Sequence, residues 1–360
     1  MSNSKHIHVV IFGIGNVGST LIQQIIMAQS NLQLKHQLQI EIPIITNSKL
    51  AFYNENGIEN SWLIDFEKFS EPYKIEDIIQ FIKAKKFKNV IAIDATASVD
   101  FVQNYVPLIE NGFHIVSANK VANTLSYDFY EALRQSLRKH NKSFLYETNV
   151  GAGLPIIETI KNLYNSGEHI AKIRGVFSGS LSYIFNEYSE SDVSFSKVLS
   201  QASKLGLTEP DAREDLSGND VARKLLILAR ELNLKTEFQQ VKIESLVPKK
   251  LNGKTNVQQF NARVKELDLP FQKRKTALSK NQVLRYVGEL DVVKQTLEVK
   301  LITEQKQSPI GQLKGADSIF EIFTESYGEK PFVIQGAGAG KAVTARGLFS
   351  DIIKLSNNLN

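Results

Sequence analysis

Short apolar runs alternate with stretches of helical periodicity over the first 150 residues. Ile7-His8-Val9-Val10-Ile11-Phe12 has the near-continuous apolar character of a strand buried on both faces. Leu21, Ile22, Ile25 and Ile26 follow at the spacing that makes one face of a helix apolar. Residues 40–45, 89–94, 115–117 and 144–146 repeat the strand signal, and the last two are each preceded by a helix-like stretch. Strands alternating with helices predict βαβ units and a mostly parallel, doubly wound α/β sheet over residues 1–150.

The pattern changes at Gly151-Ala152-Gly153-Leu154-Pro155. Beyond it the periodicity predicts a helix over 156–164, a strand over 170–177, helices over 196–205 and 219–232, and strands over 284–290 and 296–302. This is the signature of a second, α+β domain with a mixed sheet, over residues 151–334. Residues 245–282, rich in lysine and asparagine, carry no clear period, and the stretch 206–218 reads as a loop. The chain then returns to glycine at Gly336-Ala337-Gly338-Ala339-Gly340 and closes on a helix over 344–355.

Composition narrows the function classes. With 42% hydrophobic and 22% charged residues in 360, the chain can bury a large core without staples. The absence of cysteine excludes disulfides, thiolate metal sites and cysteine nucleophiles, and fits a reducing compartment. A formal net charge of +5 invites a nucleic-acid reading, but the basic residues come in short groups such as Lys83-Ala84-Lys85-Lys86 and Lys273-Arg274-Lys275. No basic stripe with interleaved aromatics is present, so no nucleic-acid partner is expected. The polar N-terminus shows no signal peptide, and no apolar run approaches the ~20 residues that span a bilayer. No membrane partner is expected either, and the predicted location is cytoplasmic.

Gly13-Ile14-Gly15-Asn16-Val17-Gly18 follows the first predicted strand and opens the first predicted helix. In that context Gly13 permits the tight turn, Gly15 lets backbone approach a pyrophosphate, and Gly18 lets helix and strand close. The helix N-terminus offers N–H groups and partial positive charge to the phosphates. The turn therefore predicts a nicotinamide dinucleotide on a Rossmann-type domain. An acidic residue ending the second strand would bind the ribose of NAD; Thr46-Asn47-Ser48-Lys49 stands there instead. Nothing in it repels a 2′-phosphate, and Lys49 could attract one, although it reads equally as a solvated surface lysine. NADP is favoured, with NAD the alternative.

A second concentration of chemistry lies at Gly206-Leu207-Thr208-Glu209-Pro210-Asp211-Ala212-Arg213-Glu214-Asp215-Leu216-Ser217-Gly218 and the helix beyond it. Asp220 and Lys224 stand at i and i+4, hence on one helix face, beside a buried face marked by Val221, Leu225 and Leu228. The plain alternative is a solvated loop with a surface ion pair worth a few tenths of a kcal/mol. Carboxylates and one lysine lining a pocket would instead suit a substrate with an ammonium group and an oxygen to be protonated, the lysine serving as general acid or base.

These segments together resemble the homoserine dehydrogenase family. Ser178-Gly179-Ser180-Leu181-Ser182-Tyr183-Ile184 is similar to its Ser-Gly-Thr-Leu-Ser-Tyr-Ile segment, and the run from Leu207 to Lys224 to its Thr-Glu-Pro-Asp-Pro-Arg-Asp-Asp-Leu…Asp-Val-Ala-Arg-Lys signature. Ala118-Asn119-Lys120, the Glu147 to Pro155 loop and the Gly336 to Gly340 element also match, in order along the whole chain. Ser180 and Ser117 stand for the usual threonines, Ala212 for the second proline and Glu214 for an aspartate; the catalytic residue types are kept.

The resemblance implies NAD(P)-dependent interconversion of L-aspartate 4-semialdehyde and L-homoserine, in threonine and methionine biosynthesis. It implies a nucleotide-binding domain completed by segment 335–360, a substrate and dimerisation domain over 151–334, and a homodimer. Position by position, Glu209 and Asp220 would hold the substrate amino group, with Asp215, Gly206 and Ser180 in the same site. Lys224 would be the proton donor, and Lys120 would share that role beside the cofactor. The cofactor would meet Gly13, Ile14, Gly15, Asn16, Val17, Gly18, Asn47, Thr96, Lys120 and Gly340. A monovalent cation, sodium in the family, would be held by backbone oxygens at Glu147, Val150, Ala152 and Leu154. The length matches the short form of the family, with neither a kinase module nor a regulatory domain.

Overall fold

The computed structural model describes residues 4–252 and 255–359. The chain forms two compact units, one from the N-terminal part up to Gly153 together with Gly340 onward, the other from Leu154 to Ala339.

The first unit is built on a seven-stranded sheet. Its strands in chain order are β1 (Lys5–Phe12), β2 (Leu38–Thr46), β3 (Leu50–Tyr53), β4 (Glu71–Pro72), β5 (Val90–Asp94), β6 (His114–Ser117) and β7 (Phe144–Leu145), and across the sheet they run β4-β3-β2-β1-β5-β6-β7. β2, β1, β5, β6 and β7 are parallel; β3 and β4 add antiparallel at one edge, which the sequence did not announce. The central strands are apolar at nearly every position because helices cover both faces: Val9, Val10 and Ile11 are fully buried, as are Ile91 and Ile93. Helix Asn16–His36 turns Leu21, Ile22 and Ile25 into this core, and the terminal helix Lys341–Asn357 brings Ala345, Leu348, Ile352 and Leu355 to the same cluster. Lys5 donates to the carbonyls of Ser356 and Leu359, satisfying the last turn of that helix.

The second unit carries a mixed six-stranded sheet. β8 (Ile170–Val176), β9 (Lys242–Ile243), β10 (Gln282–Asp291), β11 (Thr296–Gln305), β12 (Ser318–Thr324) and β13 (Phe332–Gly336) lie in the order β13-β12-β8-β10-β11-β9. All pairs are antiparallel except β11 with β9. β12 and β13 were not expected; Gln335 and Gly336 pair with Ile319 and Ser318, so the sheet keeps residues 335–339 in this unit and the division falls at Gly340. The stretch 245–282 contains helices Val257–Arg263 and Asp268–Thr276, joined by a 3-10 turn at Val264–Leu267. They bury single residues, Phe260, Leu267 and Phe271, rather than a stripe, which is why no helical period was visible. The 206–218 stretch is not all loop: Asp211 caps a short helix, Ala212–Leu216, accepting from the Arg213 N–H.

Candidate active site

The nucleotide end of the first unit begins where β1 stops. Gly13 takes φ +93°, a left-handed conformation, and helix Asn16–His36 starts three residues later with no side-chain cap on its first turn. A Cβ on Gly18 would lie 1.9 Å from the Gly13 carbonyl oxygen, so only glycine lets the helix start this close to the turn. A Cβ on Gly15 would meet nothing within 4 Å, and Gly15 and Asn16 are exposed: the side of the turn that faces outward is open.

A cavity of about 790 Å³ adjoins this turn, lined by Phe12, Gly13, Thr46, Asn47, Ser48, residues 73–76 and the stretch from Thr96 to Asn104. Of the residues expected to meet cofactor, Gly13, Asn47 and Thr96 line it. Asn47 uses its Oδ1 to accept the N–H groups of Lys49 and Leu50, so this oxygen shapes the turn after β2. Lys49, offered by the sequence as a phosphate partner, is exposed and not among the lining residues; Lys74 and Glu76 are. Tyr73, which also escaped the sequence reading, donates towards Thr46 Oγ1 and the Asn47 carbonyl, each at 3.2 Å. Lys120 follows β6 in the turn that opens helix Val121–Thr124 and is partly buried. Gly340, with φ +111°, caps the start of the terminal helix.

The loop from Glu147 to Gly153 also belongs to this unit. Gly151 and Ala152 take successive positive φ values, +78° and +52°, the second unusual for a residue with a Cβ. The Glu147 N–H donates to Asp351 of the terminal helix, and the Val150 N–H to the Glu147 carbonyl. Among the described residues no group of three or more acidic, histidine or cysteine side chains is placed to hold a metal ion.

The polar cluster of the second unit is assembled by three helices and the loop at Glu209. Helix Asn219–Glu231 starts after Gly218, whose φ of +77° and approach to Tyr286 leave no room for a Cβ. Its inner face buries Val221, Leu225 and Leu228, and the register of that face carries Lys224 inward too, to 8% exposure. Lys224 Nζ donates to the Phe177 carbonyl at 2.7 Å and pairs with Asp220 Oδ2 at 2.8 Å. This is not a solvated surface pair: an ammonium so far from water needs these oxygens.

Helix Gly179–Glu190, capped by Ser178, presents Ser180 beside the same group. Ser180 Oγ donates to Asp215 Oδ1 at 2.6 Å, and the Glu209 N–H donates to Asp215 Oδ2 at 2.8 Å. Both carboxylate oxygens of Asp215 are thus engaged in holding Ser180 and the Glu209 loop. Burial pushes the Asp215 carboxyl above its usual range, against the pull of those bonds, and the charge of Asp220 adds to the rise. Glu209 itself is exposed, and Gly206, with φ +69°, turns the chain out of helix Phe195–Lys204 towards it. Asp211, in contrast, forks onto Arg213, which reaches on to Thr255, so that carboxylate is structural. Of the acidic side chains between Glu209 and Asp220, Asp220 pairs with Lys224, whereas Asp211 and Asp215 hold the loop.

The same two regions are those matched by comparison with known proteins. The profile described as homoserine dehydrogenase matches residues 155–353, and that described as the homoserine dehydrogenase NAD-binding domain matches residues 13–147. The chain belongs to the homoserine dehydrogenase family. Homoserine dehydrogenase of Saccharomyces cerevisiae is 36% identical over 367 residues, covering 99% of this chain and 100% of the yeast protein. The bifunctional aspartokinase/homoserine dehydrogenase of Buchnera aphidicola is 40% identical over 355 residues, 98% of this chain but 43% of that protein. The chain thus spans less than half the length of the bifunctional relatives it matches. Among solved structures, a protein of unknown function from Candida auris superposes with a TM-score of 0.90 at 33% identity, over 99% of both chains. A hyperthermophilic archaeal homoserine dehydrogenase in complex with NADPH gives a TM-score of 0.73 at 20% identity over 99% of both, a likeness of fold. The members of this family are NAD(P)-dependent oxidoreductases, and the Rossmann-type unit with its mixed-sheet partner is the architecture their relatives share.

Proposed function

We propose that this chain interconverts L-aspartate 4-semialdehyde and L-homoserine with Lys224 as the proton donor. The observation that carries the reading is a buried ammonium fixed at 2.7 Å and 2.8 Å by the Phe177 carbonyl and Asp220, in a cluster of carboxylates. Two of the three N–H directions of Lys224 are taken by these oxygens, and the third serves the substrate oxygen. When bound, the reduced nicotinamide supplies the hydride that adds to the aldehyde carbon. Lys224 gives its proton to the oxygen on which charge builds, and a preorganised donor in a water-poor site stabilises that charge best. Glu209 and Asp220 receive the substrate ammonium, Asp215 and Ser180 hold Glu209 in place, and Lys120 assists at the cofactor. In the direction of oxidation Lys224 takes the proton back. Turnover of purified protein with homoserine, against other hydroxy and amino acids, is followed by the absorbance of the reduced cofactor. Absence of homoserine turnover with either cofactor would overturn the reading.

The cofactor site fits a dinucleotide: the turn is closed on the protein side by Gly18 and open at Gly15. NADP is the proposed occupant. Lys74 rather than Lys49 is the cation in the cavity wall, while Glu76 in the same wall could accept the ribose hydroxyls of NAD. Lys74→Ala is expected to lower kcat/KM for NADPH about tenfold, the worth of one charge-assisted contact, with little change for NADH. Equal losses with both cofactors would remove Lys74 from the 2′-phosphate.

A monovalent cation held by the carbonyls of Glu147, Val150, Ala152 and Leu154 is also proposed, supported by the family resemblance and by the positive φ of Ala152 in that loop. Replacing sodium by choline chloride at constant ionic strength is expected to raise KM for homoserine; unchanged kinetics in choline would remove the cation. A homodimer completes the proposal, checked by sedimentation equilibrium.

A further inference from the structure

Asp94 closes β5 with its carboxylate buried. One oxygen accepts the Thr96 N–H at 2.8 Å; the other accepts Tyr105 Oη at 2.8 Å and Asn119 Nδ2 at 3.0 Å. Asn119 spans further. Its amide also donates to the Ser98 carbonyl at 2.8 Å, and its Oδ1 accepts the Val121 N–H at 3.1 Å. Tyr105 Oη also accepts the Ser117 hydroxyl at 2.7 Å, and Ser117 Oγ accepts the Asn119 N–H at 2.9 Å. One carboxylate therefore ties the loop from Thr96 to Ser98, which lines the 790 Å³ cavity, to the turn that presents Lys120. Burying an ionisable carboxyl is costly, and burial does push this one above its usual range despite the bonds it accepts. A group kept at that cost, with each oxygen spent on a segment of the nucleotide site, is not filling core volume.

We propose that Asp94 is a positioning residue for the nicotinamide nucleotide: through Thr96 and Asn119 it fixes the cavity loop and the Lys120 turn in one mutual arrangement. The inference rests on reading Thr96 and Lys120 as cofactor-binding residues. Both sides of the carboxylate face donors, so an amide cannot replace it. In Asp94→Asn one side must present an NH2 group to the Thr96 N–H or to the Asn119 amide, and that link is lost.

The test measures NADPH dissociation by its fluorescence, KM and kcat for each substrate, and Tm, in wild type, Asp94→Asn and Asn119→Ala. Both variants are expected to raise the NADPH Kd and KM about tenfold or more, the worth of a lost bond to a charged group, with KM for homoserine within about twofold. A group that served only the core would lower Tm and leave NADPH affinity of the folded protein unchanged; that result overturns the proposal. If Asp94→Asn does not fold, Asn119→Ala decides alone, since it keeps the carboxylate with Thr96 and Tyr105. Thr96→Ala and Lys120→Ala separate the two layers of the argument. If they weaken NADPH binding and the Asp94 and Asn119 variants do not, the positioning role falls and the site reading stands. If none of the four changes NADPH binding, the site reading fails and the positioning role fails with it.

Discussion

Lys224→Ala is expected to lower kcat by about a thousandfold or more while NADPH binds as tightly as to the wild type. The size follows from what the side chain supplies. It is the acid for the oxygen that gains charge, and its own charge offsets that oxygen before the proton moves. Water entering the gap replaces neither the orientation set by Phe177 and Asp220 nor the low-dielectric surroundings of a side chain 8% exposed. NADPH affinity is spared because the partners of Lys224 lie in its own unit, on helix Asn219–Glu231 and at the end of β8. The substitution also removes the bonds of Lys224 to the Phe177 carbonyl and to Asp220, at a cost of about 1–3 kcal/mol. Activity should therefore be measured well below the variant's Tm, with the folded fraction established by circular dichroism. Lys224→Met, which keeps most of the volume and none of the charge, should lose activity to the same extent with less loss of Tm. A variant that retained more than about a tenth of wild-type kcat would move the proton-donor role to Lys120 or to water.

What could be read from the chain, and what could not, follows from how each feature is encoded. β1 and β5 are legible because both of their faces are buried over most of their length, so nearly every buried position is apolar. β3, β4 and β13 are short or lie at sheet edges, where one face and one side remain wet and alternation over two to five residues carries little signal. The glycine turn was legible because three glycines are each required by a different contact, and the structure supplies two of them in the φ of Gly13 and the Gly13–Gly18 approach. Lys224 and Asp220 were legible as a pair at i and i+4. The Phe177 carbonyl that completes the grip on Lys224 was not, because a backbone acceptor 47 positions away leaves no side-chain signature. The same holds for Asp215, whose two bonds to Ser180 and the Glu209 N–H come from separate helices and loops. Lys74 left no signal at the end of β2, where Thr46-Asn47-Ser48-Lys49 stands, because the cavity wall is completed by the segment leading into helix Ile75–Ala84. Asp94 ends its strand like any polar residue; only the convergence of Thr96, Tyr105 and Asn119 on it gives it a role.

Substitutions at Gly15 and Gly18 are expected to weaken NADPH binding for different reasons, which the pair of variants can tell apart. At Gly18 the added methyl would sit 1.9 Å from the Gly13 oxygen and 3.0 Å from its carbonyl carbon, both backbone atoms that cannot swing aside. Alanine is favoured over glycine in a helix by about 1 kcal/mol, but a displacement of the helix start from a packed turn costs more, about 3 kcal/mol. Gly18→Ala should therefore lower Tm and disorganise the turn, raising the NADPH Kd about a hundredfold as the phosphates lose several aligned N–H groups together. At Gly15 the methyl meets no protein atom within 4 Å, and the residue's φ of −68° suits any side chain. Gly15→Ala should leave Tm unchanged and still raise the NADPH Kd about tenfold or more, because the methyl occupies the space through which the pyrophosphate approaches the helix N-terminus. Titration of both variants with NADPH, beside their melting curves, separates these effects. A Gly15→Ala protein that bound NADPH like the wild type would take the pyrophosphate off this turn, whatever happened at Gly18. A Gly18→Ala protein with unchanged Tm would mean that the helix start can move freely relative to β1, which the burial of Leu21, Ile22 and Ile25 in the core beneath it opposes.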